Sequence, residues 1–426
     1  MPLKQPSIAV VGSGIAGLAT AWLLNPHFDV TLYEADARLG GHSHTVDVEI
    51  DARPVAVDTG FLVCNDRTYH NLLSLFRLLQ VELVASEMSF SVQIEGENLE
   101  WAGTSIATLF GDPKNLFRPK FWRMVRDIVR FNRHAHALLS SQDSQPTLGE
   151  YLRSEKYSEE FAHWYLLPMA AAIWSCPTAT VLDFPALTLI RFFQQHGLLQ
   201  VTNRPQWMTV KNGSRNYVDK LRAGIPRIKS NDAVHEIKRD SSGVMVFSRS
   251  GAVRFDNVVL ACHSDQALAM LGDASSAEIA VLGAIKYQAN RAVLHTDPSV
   301  LPKRKSLWSA WNFHTQNTEQ TRQAVAVSYL LNKLQPLPVT TPLMVTLNPT
   351  EEIAAQYVLA DITYAHPLLD AAAIAAQAKL HVLQGVRRTW FCGAWTGYGF
   401  HEDGLKSALK VASAFGISPP WHTSKK

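Results

Sequence analysis

The chain has 426 residues, 47% apolar and 18% charged, which excludes disordered, collagenous and coiled-coil proteins and predicts two or three domains. Its 40 Lys and Arg against 37 Asp and Glu leave +3, too balanced to indicate a nucleic-acid partner. Cys64, Cys176, Cys262 and Cys392 lack metal-ligand or redox spacing and read as free thiols in a reducing, cytoplasmic setting.

The first strand expected, Ile8–Val11, is apolar throughout, as a buried parallel strand is. Gly12-Ser-Gly14-Ile15-Ala16-Gly17 then opens a helix over Ile15–Leu24, and Phe28–Glu34 is the second strand. Glycines at these three positions permit a tight turn, close approach of backbone to a pyrophosphate, and packing of helix on strand. The first N–H groups of the helix are free for the anion. Glu34, with Ala35 after it, is placed to accept hydrogen bonds from ribose hydroxyls, and its charge disfavours a 2′-phosphate. Arg38-Leu-Gly40-Gly41-His42 follows. Adjacent glycines admit a second stretch of backbone to the same dinucleotide, and Arg38 can neutralise phosphate. A simple NAD domain has no need of this, so the pattern indicates FAD. Asp58-Thr59-Gly60-Phe61 is a further glycine turn.

Helical patterns dominate from about Ser105 to Gln200. Lys114–Arg133 holds seven basic residues and one acid, Asp127, interleaved with aromatics. It reads as a basic amphipathic helix, either a solvated charged face or a contact with an anionic membrane surface. Trp164–Leu182 carries no formal charge, but Pro168 and Pro177 interrupt it, so it is not read as a membrane span. Phe161–Asn203 carries only Asp183 and Arg191 and predicts a buried helix pair, an apolar channel wall, or both. Strands are expected at Arg227–Asp240, Val244–Phe255 and Asn257–Cys262, with Asp240–Gly243 as a hairpin turn. Ala354–Gln384 reads as helical in part. The chain closes with a strand at Thr389–Cys392, a turn at Gly393 and Ala394, and a helix from about Gly404 to Phe415. That helix's N-terminal dipole can stabilise negative charge on a reduced flavin. The alternation predicts two interleaved domains. One is an α/β, Rossmann-like, three-layer FAD domain from 1–90, 205–275 and 386–420. The other is an α+β substrate domain from 91–204 and 276–385.

The glycine fingerprint, the Arg38-x-Gly40-Gly41 element, the Asp58-x-Gly60 turn and the Gly404 helix together resemble the flavin amine oxidase superfamily. That group includes monoamine oxidases, protoporphyrinogen oxidase and phytoene-type desaturases. The stretches Gly41–Thr45, Leu294–Asp297 and Gly397–Gly404 are closer still to a bacterial branch described only as predicted NAD/FAD-binding proteins. The resemblance covers nearly the whole chain. It implies FAD held by Gly12, Gly14, Ile15, Ala16, Gly17, Glu34, Ala35, Arg38, Gly40, Gly41, His42, Thr59, Gly60, Val234, Gly393, Ala394, Gly404 and Leu405. By the same resemblance Val234 contacts the adenine side, Asn212–Asn216 precedes a helix of the FAD domain, and Ala261-Cys262-His263 closes that part of it.

Three departures stand out. Ala394 replaces the acid that family members use on the ribityl chain. His401 stands where amine oxidases place an aromatic. Asn290 or Arg291 stands roughly where they carry a lysine water-bridged to flavin N5. These departures point away from an amine. The reading is an FAD-dependent oxidoreductase that removes a hydride from an apolar, lipid-like substrate, in a fatty-acyl desaturation. His401 and His44 are the candidate bases, and Tyr398, with Trp395 and Phe400, is a candidate pocket wall. Alternatives are an amine oxidase producing imine and hydrogen peroxide, and an FAD-binding protein without turnover. His42 and His44 read as loop structure, substrate contacts or a covalent flavin attachment. Peripheral contact with the inner membrane face is an expected association; no metal is expected.

Overall fold

The computed structural model describes residues 5–139, 146–200, 204–316 and 326–422. Five short strands, β1 (Ser7–Val11), β2 (Asp29–Tyr33), β3 (Ile228–Lys229), β4 (Asn257–Leu260) and β5 (Thr389–Phe391), form a parallel sheet in the order β3-β2-β1-β4-β5. Side chains of β1 alternate between two cores: Ile8 and Val10 enter one, Ala9 and Val11 the other. Helices Ile15–Leu24, Arg215–Ala223 and His401–Ala414 cover the first face. An antiparallel sheet of Val234–Asp240, Gly243–Ser248 and Gly251–Phe255 covers the second. The mixed α/β, three-layer class expected from the sequence is therefore present. The strand order reverses between β1 and β4, and such a reversal opens a crevice past the carboxyl ends of the strands.

A second assembly is built on a seven-stranded sheet. Its strands are antiparallel except where Trp311–Thr315 runs parallel to Phe90–Ile94. Helices between residues 119 and 195 lie over it, and Trp101, Phe121, Phe131, Phe161, Phe193 and Phe313 fill the core between. Helices Ser276–Leu282 and Ala371–Lys379 instead place Val281, Leu282, Ala373 and Ala376 in the core behind the parallel sheet.

Several elements differ from expectation. Val244–Phe255 is two strands, because Gly251, at φ +122°, closes a second tight turn after Ser248. Ala354–Gln384 contains a ten-residue strand, Val358–Pro367, ahead of its helix. The last helix begins at His401, three residues before Gly404. The basic segment starts as a 3-10 turn, Pro113–Phe117, and becomes an α-helix only at Pro119, which the first turn tolerates. The Trp164–Leu182 stretch breaks as its prolines require: a π turn over Ala162–Leu166, a helix to Trp174, then left-handed Ser175 before Pro177. Among the described residues no helix is long and apolar enough to cross a membrane. Val201–Asn203, the end of the expected channel wall, lies outside the described residues. All four cysteines are free.

Candidate active site

A cavity of about 1490 Å³ runs from the end of β1 into the second assembly. Gly12, Gly14, Ile15, Ala16, Glu34, Ala35, Arg38, Gly40, Gly41, His42, His44, Thr59, Gly60, Val234, Gly393, Ala394, Tyr398 and His401 all border it. Gly17, Gly404 and Leu405 stand behind the wall. A Cβ on Gly17 would lie 1.8 Å from the Gly12 carbonyl oxygen, and one on Gly404 would lie 2.8 Å from Ile15 Cγ2. These two glycines bring helices Ile15–Leu24 and His401–Ala414 to the cradle, with Leu405 buried between them.

The fingerprint end fits a dinucleotide. A Cβ added at Gly14 would meet nothing within 4 Å, so that position faces open cavity. One added at Gly41 would lie 3.1 Å from Gly14 Cα, so both glycine elements border the same space. The helix after Gly14 has no side-chain cap, which leaves its first N–H groups for an anion. Glu34 Oε2 accepts from the backbone N–H of Ser13 at 2.8 Å, and Oε1 from that of Asp36 at 3.0 Å. The Arg38 guanidinium, expected to face phosphate, binds the carbonyl oxygens of Leu39, Gly41 and Ser43. Its rigid fork of donors closes the Gly-Gly loop, whose carbonyls would otherwise go unpaired.

The middle of the cavity is rich in histidine and tyrosine. His42 stacks on Tyr364 with ring centroids 5.0 Å apart, and its buried Nε2 has no hydrogen-bond partner. Burial, with His366, His263, His401 and Arg38 around it, holds its pKa well below the usual value. His44 Nδ1 lies 3.1 Å from the Tyr364 hydroxyl, itself 2.8 Å from Thr59 Oγ1, and desolvation lowers the imidazole to about 4. His401 stacks on Phe61 at 3.7 Å, and its Nε2 lies 2.8 Å from Ser43 Oγ and 3.1 Å from the Tyr217 hydroxyl. Burial takes it to about 3. Both candidate bases are therefore neutral imidazoles at ordinary pH.

The acids beside His401 serve structure. Glu402 accepts from Asn71 and Leu72 at the start of helix His70–Leu78. Asp403, pushed up to about 6 by burial, accepts from the backbone of Tyr398 and Phe400. Neither Asn290 nor Arg291 borders the cavity. Asn290 Nδ2 lies 2.9 Å from His366 Nδ1, and Arg291 points outward between Glu352 and Asp361. The residues facing the cavity there are Tyr364 and His366, which sequence reasoning missed along with the strand that carries them.

Beyond this band lies an apolar chamber. Tyr165, Met169 and Ile173, spaced four apart across the π turn and the following helix, present one face to it. Phe192 of helix Ala186–Gln195 stacks on His196 and Phe400 and meets Tyr398 edge-on. Asp183 and Arg191, the two charges in this stretch, are both exposed. The helices thus pack as a core and line the chamber at once. Among the described residues only Glu34, Asp36 and Asp232 supply carboxylates to the cavity. All three sit at the fingerprint end, where Asp232 N–H bonds the Glu34 carbonyl at 2.9 Å.

A parallel sheet with a glycine cradle at its point of reversal, opening on an apolar chamber, defines a dinucleotide-dependent oxidoreductase. The chain belongs to the family of flavin-containing amine oxidoreductases, whose profile matches residues 15–402, and its cofactor is FAD. Cyclohexylamine oxidase from Brevibacterium oxydans superposes with a TM-score of 0.70 at 16% identity, over 96% of this chain and 98% of that one. A CLA-producing fatty acid isomerase from P. acnes superposes with a TM-score of 0.67 at 13% identity, over 97% of this chain and 99% of that one. These likenesses establish a shared fold. Polyamine oxidase 5 of Oryza sativa subsp. japonica is 40% identical over 92 residues, which is 21% of this chain and 18% of that protein's length.

Proposed function

We propose that this oxidoreductase acts on an apolar, lipid-like substrate and introduces a carbon–carbon double bond into an acyl chain. The chamber wall carries the reading. Away from the fingerprint end, no described Asp or Glu borders the cavity, and the histidines there are neutral. A protonated amine would lose its hydration without gaining a counter-ion. An acyl chain gains about 0.8 kcal/mol per buried methylene and needs no anchor.

Bound FAD supplies two-electron oxidation of a carbon centre. In this reading residues 1–90, 205–275 and 386–420 form the cofactor half and 91–204 and 276–385 the substrate half, apart from helices Ser276–Leu282 and Ala371–Lys379, which pack with the cofactor half. Gly12–Ala16 and Gly40-Gly41 hold the cofactor. Tyr165, Met169 and Ile173 orient the chain and exclude water. His44, kept neutral and tied through Tyr364 to Thr59, receives the proton leaving the substrate. His401, turned into the hydroxyls of Ser43 and Tyr217, positions the cradle. The fold it shares with a fatty acid isomerase supports an acyl substrate. The family and the polyamine oxidase segment support the amine alternative.

The test is anaerobic mixing of the flavoprotein with phospholipid extract, free fatty acids, primary amines and polyamines while the flavin absorbance is followed. Bleaching by lipids is expected. Fast bleaching by amines with lipids inert overturns the reading.

A further inference from the structure

The two most exposed large apolar side chains among the described residues, Phe117 and Ile106, lie in one patch. Phe117 is 85% exposed and Ile106 79%, with Trp122 and Leu116 about half exposed. They form one patch: Trp122 Nε1 donates to the Leu116 carbonyl at 2.9 Å, the Trp122 ring lies 5.1 Å from that of Phe110, and Phe110 N–H bonds the Ile106 carbonyl. The 3-10 turn carrying Leu116 and Phe117 is anchored from below. Buried Asp112 caps it and pairs with Arg304, and buried Asn115 donates to the Glu100 carbonyl. Exposed aromatic surface on a fixed turn indicates a binding face.

The charges around it indicate what binds. Lys114, Lys120 and Arg133 are exposed and make no ion pair among the described residues, and Arg126 is exposed beside buried Asp127. The other basic residues of the segment are committed inward or to neighbours. Arg118 holds the carbonyls of Glu97 and Asn98, Arg123 pairs with Glu160, and Arg130 lies over the Tyr157 ring. The two acids within the segment and its cap, Asp112 and Asp127, are buried.

We propose that this patch docks the protein on an anionic lipid bilayer, with Phe117 and Ile106 entering the headgroup–acyl boundary and Lys114 and Lys120 meeting lipid phosphates. The site is the exposed turn ahead of the basic helix together with the helix's first turns. Gly103, exposed and bordering the cavity, precedes Ile106 by three residues, so the patch adjoins a cavity wall. The docking face is independent of the reaction proposed above, and its test requires no turnover.

The flavin-loaded full-length protein is sedimented with phosphatidylcholine vesicles, with and without phosphatidylglycerol, across a salt series. Selective, salt-sensitive binding to the anionic vesicles is expected. F117E and the double variant K114E/K120E should each weaken it by about tenfold or more, since each basic contact contributes about 1 kcal/mol. F117L should retain it. Flavin absorbance verifies that each variant is folded. Equal sedimentation with both vesicle types, or variants that bind as the wild type does, overturns the proposal. Self-association in the ultracentrifuge that F117E abolishes, with vesicle binding unchanged, would assign the patch to a second copy and also overturns it.

Discussion

At Gly14 a side chain has room in the protein but none once a pyrophosphate is bound, because an added Cβ meets no atom within 4 Å. Gly14→Val should therefore give a folded, colourless protein, measured by circular dichroism and flavin absorbance. A holo spectrum would move the pyrophosphate elsewhere. Glu34→Arg removes the acceptor for the Ser13 and Asp36 N–H groups and sets a cation in the cradle. Loss of charged hydrogen bonds worth about 1.5–3 kcal/mol should raise the FAD dissociation constant by at least about tenfold. An unchanged constant would reduce Glu34 to a loop residue. His44 and His401 set the pH behaviour. With folded values of about 4 and 3, both are unprotonated above pH 5, so neither should impose an acid limb on flavin reduction between pH 5 and 8. An acid limb near 6.5 that vanishes in His44→Asn would contradict the burial seen here. The same depression acts on stability. The unfolded histidines take up protons from about 6.5 downward while the folded ones do not, so their stabilising effect is full above that pH and is lost as pH falls toward 4. Thermal melts of wild type against His401→Asn should diverge in that window, the variant losing less.

The elements most legible in the sequence are those whose signals are local. Helix Ile15–Leu24 has the bounds its glycine turn implies, and the Asp240–Gly243 hairpin is present because turn residues act over four positions. Strand Val358–Pro367 was not legible. Its alanines suit a helix, its alternation is half-exposed, and its partner Tyr287–His295 lies some seventy residues away. Tyr364 and His366 were lost from the expected site with it. Glu402 shows the converse. It stands in sequence beside the candidate base His401, yet its burial and three accepted bonds make it the cap of helix His70–Leu78. Glu402→Ala should cost about 2–3 kcal/mol and lower Tm by about 2–3 °C, because three donors lose a charged acceptor. The flavin spectrum should survive. An unchanged Tm would show that the helix is capped by other means.

Across the whole molecule, the first strand–helix–strand unit was readable, but the sheet order was not, because β3, β4 and β5 join it from distant segments that begin only at Ile228. The reversal beside β1 is a property of that long-range order. So is the separation of the cavity into a carboxylate-bearing cofactor end and an apolar chamber. That separation yields a decisive substitution. Ile173 lies in the chamber wall on the face shared with Tyr165 and Met169, away from the glycine cradle. Ile173→Asp would place an unpaired carboxylate against any acyl chain, and an uncompensated buried charge costs several kcal/mol unless it is neutralised or paired. For an apolar substrate, KM should rise at least about tenfold while the flavin spectrum and FAD affinity stay as in the wild type. For a cationic amine the same carboxylate is the counter-ion the natural chamber lacks, and KM should fall. Measuring both substrate classes on the one variant separates the two chemistries by the sign of the change. A rise in amine reduction rate accompanied by unchanged lipid kinetics would show that the acyl chain does not occupy this chamber.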